Sequence, residues 1–155
     1  MARPLREFFQ IVLASDIADY GFGSNFDFLT SDPTDVPPVD WVITNPPFNL
    51  AEAFIRRGLE VATDGVAMLV RTTFLASQKR YKLFTEYPPA IVAQFAERVP
   101  MFEGRLDPNG STATDYCWIC WRCHDVDTRM MWIPPCRHVL ERKSDYQLNN
   151  ETKGE

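Results

Sequence analysis

The chain has 155 residues, of which 45% are hydrophobic and 13% aromatic, and a formal net charge of −5. That is enough for one globular domain with a core, and disorder is expected only in the polar tail. The charge excludes a nucleic-acid binder that relies on its overall field, while the lack of a long apolar run and of a signal h-region leads to the expectation of a cytoplasmic protein outside any membrane.

Residues 3–9 read as the end of a helix, with Leu5, Phe8 and Phe9 on one side. Residues 11–15 read as a buried strand ending at Asp16, followed by a loop through Gly21, Gly23 and Asn25. In nucleotide-binding α/β folds an acid at the end of the second strand accepts hydrogen bonds from ribose hydroxyls. Asp16 fits that role, although a lone Asp also caps the turn that follows it. Phe26 and Phe28 are candidates for the core. Residues 32–38, with three prolines, form a connector.

The next stretch, Val39-Asp40-Trp41-Val42-Ile43-Thr44-Asn45-Pro46-Pro47-Phe48, is an apolar strand that stops abruptly in a stiff tetrapeptide. Ligands gather at the carboxyl ends of strands in open α/β sheets, so a polar group delivered there is well placed for chemistry. Each proline pushes the residue before it out of the helical region, which leaves the backbone at Asn45 and Pro46 extended. The Asn45 side-chain oxygen and the Pro46 carbonyl then form a two-acceptor fork for the two hydrogens of a planar –NH2 group. Two such acceptors favour a more pyramidal nitrogen whose lone pair can face an electrophile. Phe48 supplies a face on which a planar base can stack. The plain alternative is turn punctuation after a strand.

Residues 49–63 predict an amphipathic helix capped by Asn49 and ended by Asp64-Gly65, and residues 66–71 a buried strand. Thr72-Thr73-Phe74-Leu75 is expected to face the same crevice as Asn45. A polar helix over 77–86 precedes strands at 90–95 and 113–121, which bracket a long loop over 98–110. The expected division is an α/β domain over 1–129 and a strap with a polar tail over 130–155. Basic residues at 56–57, 79–82, 98–105 and 137–143 are scattered, each more readily a solvated face than a contact. Cys117, Cys120, Cys123 and His124 imitate a metal or haem pattern. On a strand Cys117 and Cys120 point to opposite faces, so buried free thiols and no metal are expected.

An apolar strand ending in Asn45-Pro46-Pro47-Phe48 resembles the amino-group methyltransferases that use S-adenosylmethionine, whose fourth strand ends in Asn/Asp/Ser-Pro-Pro-Tyr/Phe/Trp. The resemblance implies a class I methyltransferase, Rossmann-like α/β sheet. It makes Asn45, Pro46, Pro47 and Phe48 catalytic. Asp16 and Ile17 would hold the ribose of S-adenosylmethionine, while Asp27 and Phe28, in an element similar to the family's Asp-Phe/Leu, would hold its adenine. The loop over 98–110 resembles that of phage-type adenine methyltransferases, so Arg105 is expected at the substrate, as is Phe74 from the crevice beside Asn45.

The implied substrate is an exocyclic amino group, adenine N6 in DNA first, with an RNA base or a protein glutamine as alternatives. The family's glycine-rich loop and first strand have no counterpart, because the opening residues are similar to family sequence just after those glycines. The sheet is therefore expected to be incomplete. The family's second and fourth strands should then close on each other, exchange strands in a homo-oligomer, or receive a missing N-terminal segment. A non-catalytic remnant that binds nucleic acid or a partner protein is the rival from another class.

Overall fold

A computed structural model describes residues 1–21, 23–101, 107, 109–123 and 127–142. Its centre is the apolar run at 66–70, every residue of which is buried. A strand covered on both faces reads as continuous apolar sequence, and this run lies inside strand β4 (Ala62–Arg71). On one side β4 pairs in parallel with β3 (Val39–Thr44), and on the other it pairs antiparallel with β6 (Tyr116–Arg122). Next come β5 (Ile91–Phe95), antiparallel to β6, and β7 (Arg129–Ile133), parallel to β5. The result is a mixed α/β fold around a five-stranded sheet of order β3-β4-β6-β5-β7.

Helix α2 (Ala51–Val61) covers one face of this sheet. Ala51 and Ile55 are fully buried and join Val66, Met68, Val70, Leu83, Ile119 and Trp121 in the core. Burying an isoleucine side chain contributes roughly 1.5–3 kcal/mol. Gly58 lets the helix approach closely, since a Cβ there would lie 3.1 Å from Val66 Cγ2. The Trp121 indole N–H donates to the Tyr87 carbonyl at 2.8 Å, tying β6 to the end of α3 (Tyr81–Glu86).

Several expectations are corrected. Asn49 does not cap α2, because Leu50 holds the N-cap position without a side-chain bond. Asp64 and Gly65 do not end the helix either. The chain turns extended at Ala62 and enters β4 directly, with Ala62 already opposite Val39, so backbone pairing overrides the helical pattern there. The strap expected from Met130 is β7, an edge strand paired with β5 and followed by the short helix α4 (Arg137–Leu140).

The opening of the chain differs most. The helix expected over 3–9 is α1 (Ala2–Leu5), followed by a turn that leaves Phe8 83% exposed. So short a helix nucleates poorly, and none of its four residues is buried. The strand expected over 11–15 shrinks to β1 (Ser15–Asp16), which pairs in parallel with β2 (Ser24–Asn25) in a separate two-stranded sheet. Ile11 is 80% exposed, and Leu13 is exposed as well. Closure of this strand on β3 is not found: the outer edge of β3 has no partner strand among the described residues. A buried strand needs neighbours on both edges, and among the described residues the one backbone bond that 11–14 make to a neighbouring segment is that of the Ala14 carbonyl, which accepts from the Ser24 N–H at 3.0 Å.

Candidate functional site

β3 ends at Thr44 and delivers Asn45 to the carboxyl end of the sheet, where Asn45 is exposed and Pro46 buried. The Leu50 N–H donates to the Pro47 carbonyl at 2.9 Å, so the chain turns immediately into α2. Among the described residues no backbone hydrogen bond engages the Pro46 carbonyl. The Asn45 amide nitrogen points its only described bond, a long 4.0 Å contact, at the Met101 sulfur. Among the described residues no hydrogen bond engages either acceptor of the expected fork, the Asn45 Oδ1 or the Pro46 carbonyl.

The tetrapeptide stands between two concavities. Asn45 lines a cavity of about 760 Å³ that is also walled by β3, by residues 12–16, and by Phe26, Phe28 and Phe54. Phe48 lines a recess of about 130 Å³ with Phe74, Ser77, Lys79 and Arg80. Small-molecule sites commonly span about 300–1,000 Å³, so the larger cavity is of cofactor size and the smaller is a notch. Phe48 touches buried Tyr116 with ring centres 6.2 Å apart, and the Arg71 guanidinium lies 4.1 Å from the Phe48 ring centre.

The expected cofactor residues divide. Asp16 lines the large cavity, and its Oδ1 accepts from the Ala18 N–H at 3.0 Å. A carboxylate has about four lone-pair sites, so one turn-capping bond leaves capacity for hydroxyl donors. Phe28 also lines the cavity, with one ring face stacked on Phe54 at 5.5 Å. Ile17 is exposed and outside the lining. Asp27 is outside it too, because its Oδ1 accepts from the Leu29 and Thr30 N–H groups at 2.9 and 3.4 Å. The Thr30 side chain and the Leu29 amide hold its carboxyl below the ordinary value, the signature of a turn cap rather than a free acceptor.

Of the expected substrate residues, Phe74 does not share a crevice with Asn45. It is 5% exposed and packs edge-on against Phe84 at 6.1 Å, because the turn after β4 folds the ring back into the core. Arg105 lies outside the described residues. Of the basic groups, Arg56 pairs with Glu52 and Glu86, and Arg57 donates to the Ser31 carbonyl at 2.9 Å, so both are engaged in the fold.

Cys117 is buried and Cys120 half-buried, whereas Cys123 is exposed, so the thiols are not uniformly buried. His124 lies outside the described residues, among which no cluster of three His, Cys, Asp or Glu is placed to hold a metal ion. No described helix is long and apolar enough to cross a membrane. Sequence reasoning passed over Arg71, Tyr116 and Met101 as site residues. The one available signal was Arg71 closing the apolar run at 66–70, a charge at the carboxyl end of a buried strand.

No family model matches the chain, and no curated protein does. Among solved structures it is similar to a predicted O-methyltransferase from Agrobacterium tumefaciens, with TM-score 0.39 and 14% identity over 63% of this chain and 43% of that one. The chain thus spans less than half the length of that structure.

Proposed function

We propose that this chain is an S-adenosylmethionine-dependent methyltransferase acting on an exocyclic amino group, with adenine N6 in DNA as the leading substrate. The observation that carries the reading is the cavity of about 760 Å³ that runs along β3 to its carboxyl end and is lined by Asp16, Phe28 and Asn45, residues apart in sequence. Asp16 is suited to receive ribose hydroxyls and Phe28 to pack on a purine. Asp27, fastened in its turn, is left out of this assignment. S-adenosylmethionine supplies an activated methyl group. Asn45 and the Pro46 carbonyl orient the acceptor amine by taking its two hydrogens, and Phe48 offers the ring surface outside.

The test is calorimetric titration with S-adenosylhomocysteine, followed by methyl transfer to adenine-containing DNA. Saturable binding lost in Asp16→Ala supports the reading. Absence of binding sinks it in favour of a non-catalytic remnant that engages nucleic acid or a partner protein. One observation favours that second reading: the segment bearing Asp16 is exposed from residue 11 to 17 apart from two half-buried positions, and is not integrated into the main sheet.

A further inference from the structure

Two arginine–phenylalanine stacks flank the 130 Å³ recess, and only one of them is fastened. Arg80 lies 4.0 Å from the Phe74 ring centre, and it also donates to the Phe74 carbonyl at 3.3 Å. Phe74 itself is buried, so neither partner of that stack is free to part. Arg71 lies 4.1 Å from the Phe48 ring centre, yet Phe48 is 38% exposed. Among the described residues Arg71 has no carboxylate or carbonyl partner. A cation resting on an exposed ring is held weakly, and this one projects from the last residue of β4.

We propose that Arg71 is a substrate-contacting residue whose guanidinium forms the outer plate of a sandwich, with a planar substrate ring entering between it and Phe48. The proposal rests on the amino-methyltransferase reading for the identity of that ring. Aromatic rings and guanidinium planes are the two surfaces on which proteins stack an unpaired base, and here a guanidinium already lies over a ring at 4.1 Å. Phe48 is held from another side by buried Tyr116, the cross-strand partner of Arg71, so the arginine is the plate that moves. Lifting it by about 3.5–4 Å, one van der Waals layer, admits a ring. The geometry selects a flat aromatic amine over a flexible amide, which has no extended face to fill the slot.

The experiment titrates the protein into a short single-stranded oligodeoxynucleotide carrying one 2-aminopurine and reads the quenching of that base. Wild type is expected to quench it and Phe48→Ala to abolish the effect. Arg71→Ala and Arg71→Lys are each expected to weaken binding roughly tenfold, because lysine keeps the charge but loses the plane. Arg71 is exposed, and a circular-dichroism melt checks that both variants fold. If Arg71→Lys binds like wild type, charge alone suffices and the sandwich is overturned. Unchanged binding by Arg71→Ala overturns it too, leaving the planar-amine reading intact. No quenching by wild type removes both.

Discussion

Gly65 stands directly opposite Trp41 in the β3–β4 register, and the indole occupies the space a side chain would take. A Cβ at Gly65 would lie 2.7 Å from Trp41 Cη2 and Cζ3 and would meet the Trp121 carbonyl oxygen of β6. Trp41 thus covers a backbone gap in β4 from one neighbour while β6 closes it from the other. Gly65→Ala has to displace both a backbone carbonyl and the indole, and is expected to destabilise the protein by about 2–3 kcal/mol. Urea titration measures this, and a variant within about 0.5 kcal/mol of wild type would show that the indole and the Trp121 backbone both give way freely.

Under the proposed function, Asn45→Ala removes one arm of the acceptor fork but not the cavity. Methyl transfer should fall by about a hundredfold or more, in line with the loss of one oriented hydrogen-bonding group at a reacting centre. Binding of S-adenosylhomocysteine should persist. Single-turnover transfer beside calorimetry separates the two, and undiminished transfer would refute the fork.

Glu97 anchors the C-terminal part of the described chain. Its Oε1 accepts the N–H groups of Cys136 and Arg137 at 2.6 and 2.7 Å, at the start of α4. The Arg137 amide, then the Cys136 amide, holds the carboxyl below its ordinary value of 4.5. A folded-state value below the unfolded one gives stabilisation that is complete above the ordinary carboxylate range and is lost as pH falls through the lowered value. Hydrogen exchange at the Cys136 and Arg137 amides should therefore accelerate below about pH 4.5, beyond the intrinsic pH dependence of exchange. Glu97→Gln should lose most of that acid sensitivity. Equal acid response in both proteins would assign it to another carboxylate.

The four cysteines should separate by reactivity. Burial pushes the Cys117 thiol up to about 11 and raises Cys120 as well, while Cys123 is exposed. The thiolate is the reacting species, so at pH 8 iodoacetamide should alkylate Cys123 well before Cys117 in the native protein, and all four together in urea. Peptide mass spectrometry reads the order. Early labelling of Cys117 would mean that β6 opens readily.

Local pattern was informative wherever one element satisfies its own requirements. The run at 66–70 announced a buried strand, and it became an inner strand of the sheet between β3 and β6. The strand ending at Asn45 was legible because Pro46 and Pro47 forbid a helical continuation, and the amphipathic helix after them was legible from its spacing. Misreadings fell where partners decide. Ala62 belonged to β4 because Val39 lay opposite it, and β7 was a strand because β5 had a free edge.

At the candidate site, the sequence by itself determined which groups the chain can present: Asn45 and the Pro46 carbonyl at a strand end, an acid at position 16, and a ring at position 48. Proline stereochemistry and strand periodicity are local, and they operate without a partner. Only the tertiary structure decided that Asp16 and Phe28 share a cavity with Asn45 while Asp27 and Phe74 do not, and that Arg71 covers Phe48. Those outcomes depend on which backbone edges pair and which faces find apolar cover, and both are properties of distant residues meeting in space.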